Sequence, residues 1–94
     1  MIYGYAFQRG VHETLKRLSL GDREKYFSTK EVLSAFRDGL EEETKPFVSL
    51  NSQSSIYTRT RVFLKKLVSM DEAEEKKVLH DNKNYIIFKF RYKE

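Results

Sequence analysis

The stretch SQSSIYTRTRVFLKKL, residues 52–67, gathers the side chains with most to offer chemically. Arg59, Arg61, Lys65 and Lys66 fall within residues 51–70, which contain no acid. Ahead of the cations stand Ser52, Gln53, Ser54, Ser55 and Thr58, short polar side chains that donate and accept hydrogen bonds. Neither set performs acid–base or nucleophilic chemistry unaided. Together they suit a polyanion. Long cations neutralise phosphates, while short hydroxyls and amides approach base edges and backbone oxygens closely. Gln53 and Arg61 match the side chains that pair with adenine and guanine edges.

A second basic set follows. Residues 76–94 carry Lys76, Lys77, Lys83, Lys89, Arg91 and Lys93 against Asp81 and Glu94. The whole chain has a formal net charge of +4, so the positive charge is concentrated in its C-terminal half. Such a distribution is expected of a polyanion-binding face. The acids collect instead in EEE at 41–43 and DEAEE at 71–75, which read as solvated loop segments.

Other chemistries find little support. Cysteine is absent, which removes disulfides, thiolate metal sites and cysteine nucleophiles. His12 and His80 stand far apart without HExxH-like spacing, so no metal or other cofactor is expected. There is no glycine-rich phosphate loop and no GxSxG elbow, and no enzymatic activity is expected. No apolar run approaches the roughly 18 residues that span a bilayer. The leading MIYGYAFQRG lacks a signal-peptide design, so an intracellular location, cytoplasm or nucleoid or nucleus, is expected.

Several elements must position these residues within one 94-residue domain. Phe7, Val11, Leu15 and Leu18 recur at helical spacing and predict a helix over about 5–19. Tyr26-Phe27 reads as a short strand. STKE at 28–31 is a capping-box signature that opens a second helix over about 28–41, with Val32, Leu33, Phe36 and Leu40 inward. A connector with Pro46 follows, in which Asn51, Ser52 and Ser54 all suit the cap of the next helix. That third helix, over about 52–70, turns Ile56, Thr60, Phe63, Leu64 and Leu67 inward and Ser54, Thr58, Arg61, Val62 and Lys65 outward. From about 76 to 92 the period changes to two, predicting a β-hairpin whose polar DNKN, 81–84, is the tip. Its aromatic alternation at Ile86–Tyr92 reads as core. A base-stacking platform needs exposed aromatics on a wider sheet than one hairpin provides.

This order of elements, with a capped second helix and a basic, serine-rich third, resembles the winged helix-turn-helix family of DNA-binding domains. STKEVLSAF resembles the family's second helix, SQSSIYTRTRVFLKKL its recognition helix and KKVLHDNKNYIIFKF its wing. The resemblance implies an α+β winged-helix fold and a DNA-binding protein acting in transcription regulation. Double-stranded DNA is the implied partner, with the third helix in the major groove and the wing on flanking backbone. Lys83 and Asn84 at the hairpin tip would reach the backbone or minor groove, and Lys89 would extend the strip, with Lys77 and Arg91. A winged-helix module that docks an acidic protein partner is the alternative. Met1, Ile2, Tyr3 and Tyr5 exceed what one helix needs, so the N-terminal segment either covers the domain's own core or forms a homodimer contact.

Overall fold

A computed structural model describes residues 4–92 of the chain. The first helix, α1 (Tyr5–Gly21), buries Phe7, Val11 and Leu15 along one stripe. Gly10 lies where α1 meets the second helix. A Cβ there would stand 2.5 Å from the Phe36 ring, so only glycine permits this approach. Phe36 in turn meets Phe7 edge-on, with ring centroids 5.3 Å apart. Tyr5, one of the four residues in the N-terminal dimer-or-core expectation, is 79 % exposed. Met1, Ile2 and Tyr3 lie outside the described residues.

Strand β1 (Phe27–Ser28) leads directly into α2 (Thr29–Asp38). The capping box forms as the sequence predicts. The Ser28 hydroxyl accepts from the Glu31 amide, and the Glu31 carboxylate accepts from the Ser28 amide, each at 3.1 Å. α2 ends at Asp38, short of the expected Glu41, because the Gly39 and Leu40 amides close onto the Phe36 and Arg37 carbonyls. The connector contains a 3-10 turn, Lys45–Phe47, with Pro46 in its first turn. The Arg37 side chain donates to the Lys45 carbonyl, and Val48 drops into the core at 2 % exposure.

Helix α3 (Ser55–Ser69) begins later than the predicted Ser52. Ser52 and Gln53 lie in a turn, where the Asn51 side chain accepts from the Gln53 amide at 2.9 Å. Ser54 is the cap, accepting from the Tyr57 amide at 3.2 Å. The helix stops through paired bonds, Asp71 N–H to the Val68 carbonyl and Glu72 N–H to the Leu67 carbonyl. This is a Schellman arrangement, with Asp71 at φ 63° in the left-handed position that glycine usually holds. It turns the chain sharply, so β2 (Ala73–His80) starts earlier than the expected 76. The acids of DEAEE therefore divide, and Glu74 and Glu75 are strand residues rather than loop residues.

β2 pairs antiparallel with β3 (Lys83–Phe90), which also pairs with β1, giving the order β1-β3-β2. The hairpin loop is two residues, Asp81 and Asn82, both at positive φ (49° and 62°) as a type I′ turn requires. Lys83 and Asn84, expected at the tip, instead begin β3. Direct pairing fixes which side chains share a face. Ala73–Phe90, Glu75–Phe88, Lys77–Ile86 and Leu79–Asn84 face one way, and the intervening pairs face the other.

The sheet closes over the helices through Phe27 and Phe88, which are paired across β1 and β3 and both buried. Leu15, Leu33, Leu64 and Phe88 are fully enclosed. Each contributes about 1.5–3 kcal/mol by leaving water. The Ser19 hydroxyl, also buried, accepts from the Phe90 amide at 3.0 Å and ties α1 to the end of β3. The fold is α+β, three helices and a three-stranded antiparallel sheet ending in a hairpin, and it is compatible with a winged helix. No described helix is long and apolar enough to cross a membrane.

Candidate nucleic-acid interface

The outer surface of α3 is organised in three strips. Ile56, Thr60, Leu64 and Leu67 are buried, which turns Ser55, Thr58, Val62 and Ser69 away from the core. These four are exposed and short, and they form a low crest along the helix. Cations stand on both sides of it. Toward α1, Arg59, Val62 and Lys66 line a shallow cleft of about 180 Å³ with Phe7 and Gln8. Toward the hairpin, the Lys65 ammonium lies 3.6 Å from the Glu75 carboxylate on β2. Arg61 is one turn earlier on that same flank. From Ser55 to Ser69 the crest rises about 21 Å, close to four helical turns.

The leading end of α3 is occupied with its own architecture. The Ser54 hydroxyl caps the helix, and the Thr58 hydroxyl donates to the Ser54 carbonyl at 3.2 Å. Ser52 and Gln53 are exposed in the preceding turn, and Ser55 is exposed at the first helical position. Ser52, Gln53, Ser55, Thr58, Arg59, Arg61 and Lys65 are thus all on the exterior, while Ser54 is half-buried at the cap. Arg61 and Lys66 make no ion pair with the described acids.

The hairpin divides the remaining predicted contacts between its two faces. Asn84 and Lys77 share the sheet face that carries Glu75, and so lie on the side of Lys65. Lys83 and Lys89 lie on the opposite face. Lys89 there pairs loosely with Glu74 at 3.8 Å, and its ammonium sits 5.0 Å from the Tyr26 ring centroid. Arg91 is tied to Asp71 at the exit of α3. The fold therefore puts Lys77 and Asn84 on the same side of the hairpin as Lys65, with Arg59 and Lys66 on the far flank of α3. It does not bring Lys89 to them.

Lys66 was legible in the sequence but not singled out as a contact. Its position seven residues after Arg59 puts it on the same flank, two turns on. The surroundings of Tyr26 and Lys76, by contrast, were hidden, because they depend on β1 joining the sheet. Among the described residues no group of histidines and acids gathers to hold a metal ion. The His12 Nε2 is enclosed without a hydrogen-bond partner in the structure, its ring 5.5 Å from that of Phe90. Comparison with protein-family models, with curated proteins and with solved structures finds no match for this chain.

Proposed function

We propose that the protein is a winged-helix DNA-binding protein that regulates transcription, with α3 in the major groove and the hairpin against flanking backbone. The observation that carries this reading is the crest of α3. Short side chains at Ser55, Thr58 and Val62 run between Arg59 and Lys66 on one side and Arg61 and Lys65 on the other. A major groove about 12 Å wide has phosphates on both walls and base edges at its floor. A low crest flanked by cations complements that shape. Arg61 is the residue assigned to a base edge, since its guanidinium is bidentate for guanine and makes no ion pair with the described acids. Lys65, Lys66 and Lys77 are assigned to phosphates. A dimer through the N-terminal segment would carry two such helices to grooves about 34 Å apart.

Binding to random duplex DNA, measured against salt, tests the reading. Affinity should fall steeply as salt rises, since each neutralised phosphate releases counterions. Undetectable binding at about 50 mM salt would sink it. Arg61→Ala should relax preference at one base position, whereas Lys66→Ala should weaken all sequences alike.

Docking of an acidic protein partner is the second reading. Val62 and Met70 support it, being 59 % and 51 % exposed and both beside Lys66 in clefts between α1 and α3. A partner of that kind would bind through apolar contact as well as charge, and so would lose less affinity in salt than duplex DNA does.

A further inference from the structure

The sheet face turned away from Phe88 carries an arrangement that the α3 interface does not use. Its cross-strand pairs are Glu74–Lys89, Lys76–Ile87, Val78–Tyr85 and His80–Lys83. Three lysines therefore share this face with one glutamate. β1 adds Tyr26, which follows the register Phe27–Phe88 to a place beside Lys89. The Lys89 and Lys76 ammonium groups lie 5.0 Å and 5.8 Å from the Tyr26 ring centroid. Lys76 and Lys83 are exposed and make no ion pair with the described acids. At the far end Tyr85 is 45 % exposed, with the His80 ring 6.5 Å away.

We infer that this face binds a single-stranded nucleic acid, stacking bases on Tyr85 and Tyr26 and holding phosphates along the strand with Lys76, Lys83 and Lys89. A duplex buries the π-faces of its bases, whereas a single strand offers them to aromatic side chains on a sheet. The two tyrosines are separated by four residues along β3, about 14 Å, a distance that a short run of unstacked nucleotides bridges. In the register Lys76 falls between them, opposite Ile87, while Lys89 is level with Tyr26 and Lys83 lies two residues beyond Tyr85, so the lysines run the length of the strand's path. The Lys76 and Lys89 ammonium groups already lie within cation–π range of Tyr26. The charge balance favours a polyanion. The aromatic spacing favours one that carries planar rings over an acidic peptide.

The test uses the full chain and fluorescein-labelled oligodeoxyuridylate and oligouridylate of about ten nucleotides, which differ only in the 2′-hydroxyl, followed by anisotropy beside a duplex of random sequence. Tyr85→Ala should weaken single-strand binding about tenfold, and Lys76→Ala should weaken it and lower its salt slope. Both residues are exposed, and circular dichroism establishes that each variant is folded. Neither variant should change duplex affinity by more than about twofold, while Arg61→Ala should reduce duplex binding alone. Tighter binding of either oligonucleotide supports the proposal and identifies the sugar. Tyr85-dependent single-strand binding without duplex binding would uphold this face and reject the α3 reading. The proposal is overturned if neither oligonucleotide binds, if Tyr85→Ala leaves binding intact, or if polyglutamate displaces the oligonucleotides at equal charge concentration.

Discussion

Lys65 on α3 and Glu75 on β2 face one another across the junction of helix and hairpin, ammonium to carboxylate at 3.6 Å. Both side chains retain solvent access, 49 % and 32 %, so the pair adds under about 1 kcal/mol to stability. Its larger effect is on the charge that α3 presents, because a carboxylate beside Lys65 competes with any phosphate. Glu75→Gln should therefore raise duplex affinity and steepen its salt dependence by about one unit of log–log slope. Denaturation midpoints should stay close to those of the parent. Titrations at several salt concentrations check the first expectation, and an unchanged slope would remove Lys65 from the interface.

The capping box that opens α2 makes a pH-dependent contribution. Burial opposes ionisation of Glu31, but the Ser28 amide and hydroxyl and the Lys25 ammonium outweigh it and hold the carboxyl below its ordinary value of 4.5. A carboxyl with a depressed folded-state value stabilises the fold fully above the unfolded value. That contribution is lost as pH falls through the lower, folded value. Glu31→Gln should accordingly flatten the fall in stability below pH 4.5, measured by urea unfolding at a series of pH values. Ser28→Ala should cost about 1 kcal/mol near neutrality.

The two-residue turn between β2 and β3 is strained at a site that glycine would relieve. Asn82 stands at φ 62°, and the preceding Asp81 at 49°. Asp-Gly is among the preferred type I′ pairs, so Asn82→Gly should stabilise the hairpin by a few tenths of a kcal/mol up to about 1. Asn82→Val, with a branched side chain at positive φ, should destabilise it by more than that. Thermal unfolding of the two variants, compared with the parent, gives the signs directly.

What the sequence made legible follows from where its local signals are strong. STKE reads as a capping box because both partners lie within four residues, and the structure has it. The alternation from Ile86 onward reads as a strand because its period is independent of what packs on it. The start of β2 was hidden because the α3 stop uses Asp71 in place of glycine, leaving DEAEE to look like a charged loop. Val48 was hidden too, being a lone buried valine in a connector with no periodicity to reveal it. The α3 crest could be drawn from the helical repeat alone. The division of Lys83 and Lys89 from Asn84 could not, because the face of each depends on the hairpin register, and the register depends on a turn of two residues rather than four.

Gly10 offers a test of how closely α1 and α2 are packed. Helix propensity alone favours Gly10→Ala by about 1 kcal/mol, since glycine loses the most backbone freedom on folding. Packing opposes it, because the new Cβ would fall 2.5 Å from the Phe36 ring edge, well inside contact distance. Phe36 is half-buried and braced edge-on by Phe7, so its ring cannot withdraw without disturbing a residue that is only 5 % exposed. Overpacking of this kind costs about 1–3 kcal/mol, which exceeds the propensity gain or cancels it. Gly10→Ala should therefore lower or leave unchanged the unfolding free energy of the parent, while the double variant Gly10→Ala with Phe36→Leu should recover part of the loss. The recovery is the informative quantity, since a double-mutant cycle on these two residues isolates their contact from the loss of the ring itself. A Gly10→Ala protein more stable than the parent by the full propensity gain would mean that α1 and α2 stand farther apart than the structure has them.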